Sequence, residues 1–132
     1  MGKKKLLIID DEKEFVETMA ERLRTKGYDI ISAFDGASGL EKAHTAMPDL
    51  IMLDVMMPEM SGFDVCEKLK VDEKYKNIPI IMLTAKFQPA DIEFSKALGA
   101  DAYITKPFEL EVLLDMIRKL LKEFELKKGT GT

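Results

Sequence analysis

An α/β protein built on a parallel sheet is the architecture that three features of this chain predict. Short continuous apolar runs alternate with stretches whose apolar residues recur at helical spacing, the pattern of βαβ units. Leu50-Ile51-Met52-Leu53 runs straight into Asp54, as a strand buried on both faces would, although periodicity alone leaves a buried helix open. Three other apolar runs also close on polar groups: Asp10-Asp11, Thr84 and Lys106.

The elements follow in chain order. Lys5 to Ile9 reads as strand one, ending at Asp10-Asp11. Glu12 to Lys26 reads as a helix, with Val16, Met19, Ala20 and Leu23 on one face and Gly27 at its C-terminal cap. Tyr28 to Ala33 is strand two. Asp35 is a candidate N-cap for a second helix, whose stripe is Gly36, Leu40, Ala43 and Met47. Pro48-Asp49 breaks that helix before strand three, Leu50 to Asp54. Pro58 and Gly62 punctuate the following loop, and Phe63, Cys66, Leu69 and Lys70 suggest a short third helix. A polar connection, Asp72 to Asn77, leads to strand four, Pro79 to Leu83, ending at Thr84. Pro89 suits the first turn of helix four, with Ile92, Phe94, Ala97 and Leu98 as its apolar set and Gly99 as its cap. Ala102 to Ile104 is strand five, ending at Thr105-Lys106-Pro107. The last helix has the cleanest pattern: Leu110, Leu113, Leu114, Ile117, Leu120, Leu121 and Phe124. Two glycines make 127–132 read as a frayed or linker-like end.

Bulk properties narrow the function classes. A chain of 132 residues is one domain, large enough to bury roughly two-thirds of its unfolded surface without staples. A net charge of -4 argues against direct nucleic-acid binding, which needs a basic face. Lys3-Lys4-Lys5 reads as a solvated flank. The single cysteine, Cys66, excludes an internal disulfide and reads as a small core residue. No apolar run reaches the length of a membrane span, so a cytoplasmic, reducing compartment is expected. His44, the only histidine, lies in a polar stretch and reads as an exposed surface residue.

The chemistry lies in the strand ends. On a parallel sheet Asp10, Asp11, Asp54, Thr84 and Lys106 all reach one edge, where ligands of open α/β sheets bind. Singly, an Asp after a strand is ordinarily a turn or helix cap; the convergence carries the argument. Three carboxylates in one pocket repel one another, and a divalent cation removes the conflict. Hard oxygen ligands suit Mg2+. Asp10 and Asp11 are therefore candidate metal-side carboxylates, Asp54 a candidate ligand and reactive group, and the Met56 carbonyl a further candidate ligand where the chain turns back. Lys106 adds a point charge and Thr84 a hydroxyl, which together match the needs of a transferring phosphoryl group. No His, Ser or Cys lies in the cluster, which leaves Asp54 as the candidate nucleophile, forming an acyl phosphate.

With these residues in place, the chain resembles a response-regulator receiver domain of two-component signalling, of the chemotaxis-regulator kind, from residue 4 to about residue 125. The resemblance rests on Asp10-Asp11, Asp54 with Met57-Pro58 and Gly62 behind it, Thr84-Ala85, and Tyr103-Ile104-Thr105-Lys106-Pro107-Phe108. It implies a flavodoxin-like, doubly wound (βα)5 fold with five parallel strands in the order 2-1-3-4-5. It makes residues 1–126 a receiver domain and 127–132 a flexible tail or linker remnant. It implies that Asp54 is the phosphoacceptor, that Asp10 and Asp11 hold Mg2+, and that Thr84 and Lys106 contact the phosphoryl group. It implies that Tyr103 is the aromatic that turns inward on activation, and that the Lys106-Pro107 peptide is cis. Met56 and Lys86 match variable neighbours that influence hydrolysis of the phosphoryl group, and bulky Met56 is expected to prolong its life.

The implied partners are a histidine kinase or histidine phosphotransfer protein upstream, and a downstream protein or an output domain outside this chain. No enzyme activity is expected beyond autocatalytic phosphorylation and dephosphorylation. Three rivals have specific objections. An aspartate-nucleophile phosphohydrolase resembles Asp-x-Asp, but Val55-Met56 follows Asp54. A flavin module needs a phosphate-cradling loop where this chain has Asp10-Asp11-Glu12. A degenerate, binding-only receiver tends to lose the acidic and lysine residues that are complete here.

Overall fold

The computed structural model describes residues 2–85 and 88–130, with side chains of the last helix described to 126. Five strands, β1 (Lys5–Ile9), β2 (Asp29–Ala33), β3 (Leu50–Asp54), β4 (Ile80–Thr84) and β5 (Ala102–Thr105), alternate with five helices. These are α1 (Lys13–Thr25), α2 (Gly36–Ala46), α3 (Gly62–Lys70), α4 (Pro89–Ala97) and α5 (Leu110–Thr130). The strands form one sheet in the order β2-β1-β3-β4-β5, every pair parallel, as expected.

The pleat of the central strands divides the core. Leu6, Ile8, Leu50, Met52, Ile81 and Leu83 face α1 and α5. Leu7, Ile9, Ile51, Leu53, Ile80 and Met82 face the opposite layer, where Ala43, Val65, Cys66 and Leu69 pack. This two-sided burial explains why β3 and β4 carry unbroken apolar runs rather than alternating ones. Helices on both faces leave a crevice beyond the carboxyl ends of β1 and β3, where the strand order reverses.

Several local expectations need correction. Met47 is not in the α2 stripe: it is the C-cap, with φ 46, and its side chain is exposed. Gly39 is buried in that stripe instead, and a Cβ there would lie 2.6 Å from Ile9 Cδ1. The apolar set read for α4 is not its buried face. Phe94 and Ala97 are exposed, Ile92 and Leu98 are half-buried, and the buried residue is Ser95. Ser95 is buried and Leu98 packs on the core layer of α2 and α3, while Phe94 reaches sideways to the Phe63 ring at 4.8 Å. Lys5 is not merely flanking. It opens β1, its N–H donates to Asp49 Oδ2 at 2.7 Å, and its Nζ donates to the Ala46 carbonyl at 3.0 Å. The polar connection after α3 hides a buried Tyr75, on which the exposed His44 ring lies at 4.4 Å. Among the described residues no helix is long and apolar enough to cross a membrane.

Candidate functional site

Backbone pairing brings the strand ends together. The Asp10 N–H donates to the Ala33 carbonyl at 3.1 Å, holding the end of β1 to β2. Asp54, the last residue of β3, pairs in register with Leu83, so Thr84 ends the neighbouring strand one step beyond. The Lys106 N–H donates to the Thr84 carbonyl at 2.8 Å, which fixes the lysine against β4. The Lys106-Pro107 peptide is cis. Behind Asp54 the loop folds back so closely that a Cβ on Gly62 would stand 2.2 Å from the Asp54 carbonyl oxygen. Only glycine lets backbone approach backbone in this way, so Gly62 is required by the path of the chain behind the acid.

The carboxylates that the sequence singled out do meet. Oxygens of Asp10, Asp11 and Asp54 lie within 4.8 Å of one another. Asp10 is fully buried, Asp54 is 4% exposed and Asp11 is open to solvent. Lys106 Nζ lies 2.7 Å from Asp10 Oδ2 and 3.9 Å from Asp54 Oδ1, with its side chain 12% exposed. Thr84 is fully buried beside them. Tyr103 is half-buried against the α2–α3 side of the core, with Lys96 Nζ 5.9 Å from its ring centroid. The Met56 side chain is exposed. Lys86 lies outside the described residues.

These distances have electrostatic consequences. Burial, and then the charge of Asp10, push the Asp54 carboxyl up to about 7; Lys106 and the Met56 N–H oppose them without cancelling, and Asp11 adds to the rise. Burial also raises Asp10, against the pull of Lys106 and of the Glu12 N–H. Burial draws Lys106 down, but its hydrogen bonds to Asp10 and Glu12 outweigh that, and the net shift is upward. The lysine is therefore a fixed positive charge among acids that outnumber it. Such a cluster suits a hard divalent cation, which needs closely set carboxylate oxygens and relieves their mutual repulsion.

Two neighbours escaped the sequence reading. Glu12 Oε1 lies 2.9 Å from Lys106 Nζ, and the Phe15 ring centroid lies 4.2 Å from the same atom. The Phe108 ring meets Phe15 edge-on at 6.1 Å. The available signal was weak: Glu12 simply follows the acidic pair, and Phe15 precedes the α1 stripe. A recess of about 350 Å³, lined by Glu12, Phe15, Met19, Ala85, Lys106, Pro107 and Phe108, opens beside the lysine.

Known proteins resemble this chain in sequence and in fold. Residues 6–118 match the response regulator receiver domain. The chain is 42% identical over 123 residues to the alkaline phosphatase synthesis transcriptional regulatory protein PhoP of Bacillus subtilis, covering 93% of this chain and 50% of that protein. It is 43% identical over 118 residues to the DNA-binding dual master transcriptional regulator RpaA of Synechocystis, covering 89% of this chain and 49% of that protein. The chain thus spans about half the length of the curated relatives it matches. Among solved structures, a CheY-like receiver domain protein of Methanospirillum hungatei superposes with a TM-score of 0.90 at 30% identity, covering 96% of this chain and 99% of that one. The chemotaxis protein CheY4 of Vibrio cholerae superposes with a TM-score of 0.86 at 34% identity, covering 90% and 99%.

Proposed function

This chain belongs to the response regulator receiver domain family of two-component signalling, and from that premise we propose that Asp54 is the residue on which it takes up a phosphoryl group. One observation carries the reading: three carboxylates converge to within 4.8 Å at the crevice of the sheet, with the half-buried Lys106 reaching Asp10 at 2.7 Å. Asp10, Asp11, Asp54 and the Met56 carbonyl are the groups that would hold Mg2+. When bound, that ion supplies positive charge against the carboxylates and the phosphoryl oxygens.

The chain's own residues do the rest. An Asp54 carboxylate oxygen forms the new bond to phosphorus, while the donor's bond to phosphorus breaks and its electron pair leaves with the donor, a phosphohistidine of a kinase or phosphotransfer protein. Lys106 stabilises charge on the phosphoryl oxygens, and the Thr84 hydroxyl donates to one of them. Drawing Thr84 inward leaves space for Tyr103, and the face of α4, β5 and α5 changes with it. A local charge event thereby biases a two-state element, read by a downstream protein or an output domain. Hydrolysis of the acyl phosphate resets the state, and the exposed Met56 side chain slows it. The chain acts in the cytoplasm as a signalling module rather than as an enzyme with an independent substrate.

Incubation with Mg2+ and acetyl phosphate, followed by intact mass, tests the assignment. One added phosphoryl group that needs Mg2+ and is lost in Asp54→Asn is the expected result. Equal uptake by the Asp54→Asn variant would overturn it.

A further inference from the structure

Lys106 is pulled to one side of its pocket. Its Nζ lies 2.7 Å from Asp10 Oδ2 and 2.9 Å from Glu12 Oε1, but 3.9 Å from Asp54 Oδ1. The Phe15 ring, 4.2 Å away, attracts the ammonium toward the same side. Glu12 is well placed to hold it. It sits at the N-cap position of α1, yet its side chain makes no capping hydrogen bond. Its backbone N–H donates instead to Asp10 Oδ1 at 2.9 Å. Asp10, Glu12 and Lys106 thus form a closed ring of contacts at the end of β1.

We propose that Glu12 is a positioning residue that draws the Lys106 ammonium away from Asp54 and so restrains phosphoryl uptake. The inference rests on the reading of Asp54 as the acceptor. Two physical effects act with the same sign. Lys106 must weaken its contact with Glu12 to approach new oxygens on Asp54. The Glu12 carboxylate, whose side chain is 65% exposed at the mouth of the site, also repels an anionic donor. That exposure limits the size of the effect, because water and salt screen such a pair.

The test uses the full chain and the substitution Glu12→Gln, which keeps the shape of the side chain and removes its charge. With acetyl phosphate and Mg2+, uptake followed by intact mass should be about two- to fivefold faster than in the parent, the scale of an exposed ion pair. The gain should shrink as salt rises from about 0.05 M to about 0.5 M. Glu14→Gln, an exposed change in the first turn of α1, should leave the rate near the parent's. A crystal structure of Glu12→Gln without metal should place Lys106 Nζ closer to Asp54 Oδ1 than 3.9 Å. Uptake equal to or slower than the parent's, or an equal gain from Glu14→Gln, would overturn the proposal. So would a lysine that stays in place. Failure of the parent chain to take up any phosphoryl group tells instead against Asp54 as the acceptor, and the position of Lys106 still decides the role of Glu12.

Discussion

Two nearly buried lysines sit at opposite edges of the same sheet, and they differ in how many negative charges surround them. At the edge away from the site, the Lys70 side chain is 9% exposed. Its Nζ donates to the Lys76 carbonyl at 3.0 Å, the Ile78 carbonyl at 2.9 Å and Asp101 Oδ2 at 2.8 Å. Three ammonium protons meet three acceptors, one positive charge meets one negative, and Asp101 also accepts the Ile80 N–H at 2.8 Å. The cluster is balanced and braces the end of α3 against the starts of β4 and β5. At the crevice, Lys106 faces Asp10, Glu12 and Asp54, with Asp11 beside them. Burial first, and the unrelieved negative excess after it, push the Asp54 carboxyl up to about 7. A matched ion pair is scaffold; an unmatched one stores electrostatic energy that a cation or a proton can release.

The largest way to break this contrast is to remove the surplus acid. Asp54 has a folded-state pKa of about 7 against an ordinary 3.8, so the folded chain binds more protons than the unfolded one between those values. Stability therefore falls as pH rises from about 4 to about 7, then levels off. Asp54→Asn abolishes that contribution. In metal-free buffer the variant should be more stable than the parent by on the order of 4 kcal/mol at pH 8, with the gap closing toward pH 4. Urea unfolding at both pH values measures it. Millimolar Mg2+ should stabilise the parent more than the variant, narrowing the gap at pH 8. Equal stabilities at pH 8 without metal would show that neither burial nor the neighbouring acids penalise the Asp54 charge.

The balanced cluster should respond in the opposite direction. Lys70→Met strands a carboxylate and two carbonyls, and partial exposure of Asp101 softens the loss. Destabilisation of about 2–3 kcal/mol is expected, read as a lower urea midpoint. Phosphoryl uptake should stay within about twofold of the parent, within the effect of a single exposed pair, because the brace lies at the far edge of the sheet. A large loss of uptake in a folded Lys70→Met chain would mean that the two edges are coupled.

Much of this contrast was legible in the sequence, but only one side of it. β3 and Asp54 could be read because both faces of the strand are buried, which leaves an apolar run ending on an acid. The convergence of Asp10, Asp11, Thr84 and Lys106 followed from the parallel sheet alone. Which acids hold the lysine did not follow. Lys106 and Glu12 are 94 residues apart, and their contact depends on how the turn after β1 meets the end of β5. The Lys70 brace has the same origin, since it joins residues 31 apart through two carbonyls that carry no side-chain signal. α4 misled for another reason: its apolar residues outnumber the positions that face the sheet, so composition suggested Phe94 and Ala97 where the structure buries Ser95.

Ser95 sharpens the comparison at its smallest scale. It is fully buried, and its Oγ is the buried side-chain polar atom without a hydrogen-bond partner among the described residues. Like the crevice acids it is unmatched, but it carries no charge. The difference in cost should follow the difference in desolvation: about 1–3 kcal/mol for an orphan neutral group, against several for an ion. Ser95→Ala removes the hydroxyl and leaves a methyl that fits the same space. It should stabilise the chain by about 1 kcal/mol, raising Tm by about 3–5 °C for a domain of this length. Unlike the Asp54→Asn gain, this one should be the same at pH 5 and pH 8 and indifferent to Mg2+, because no titrating group is involved. A lower Tm would mean that the hydroxyl has a partner in solution, and a gain that grew with pH would tie α4 to the charge of the crevice.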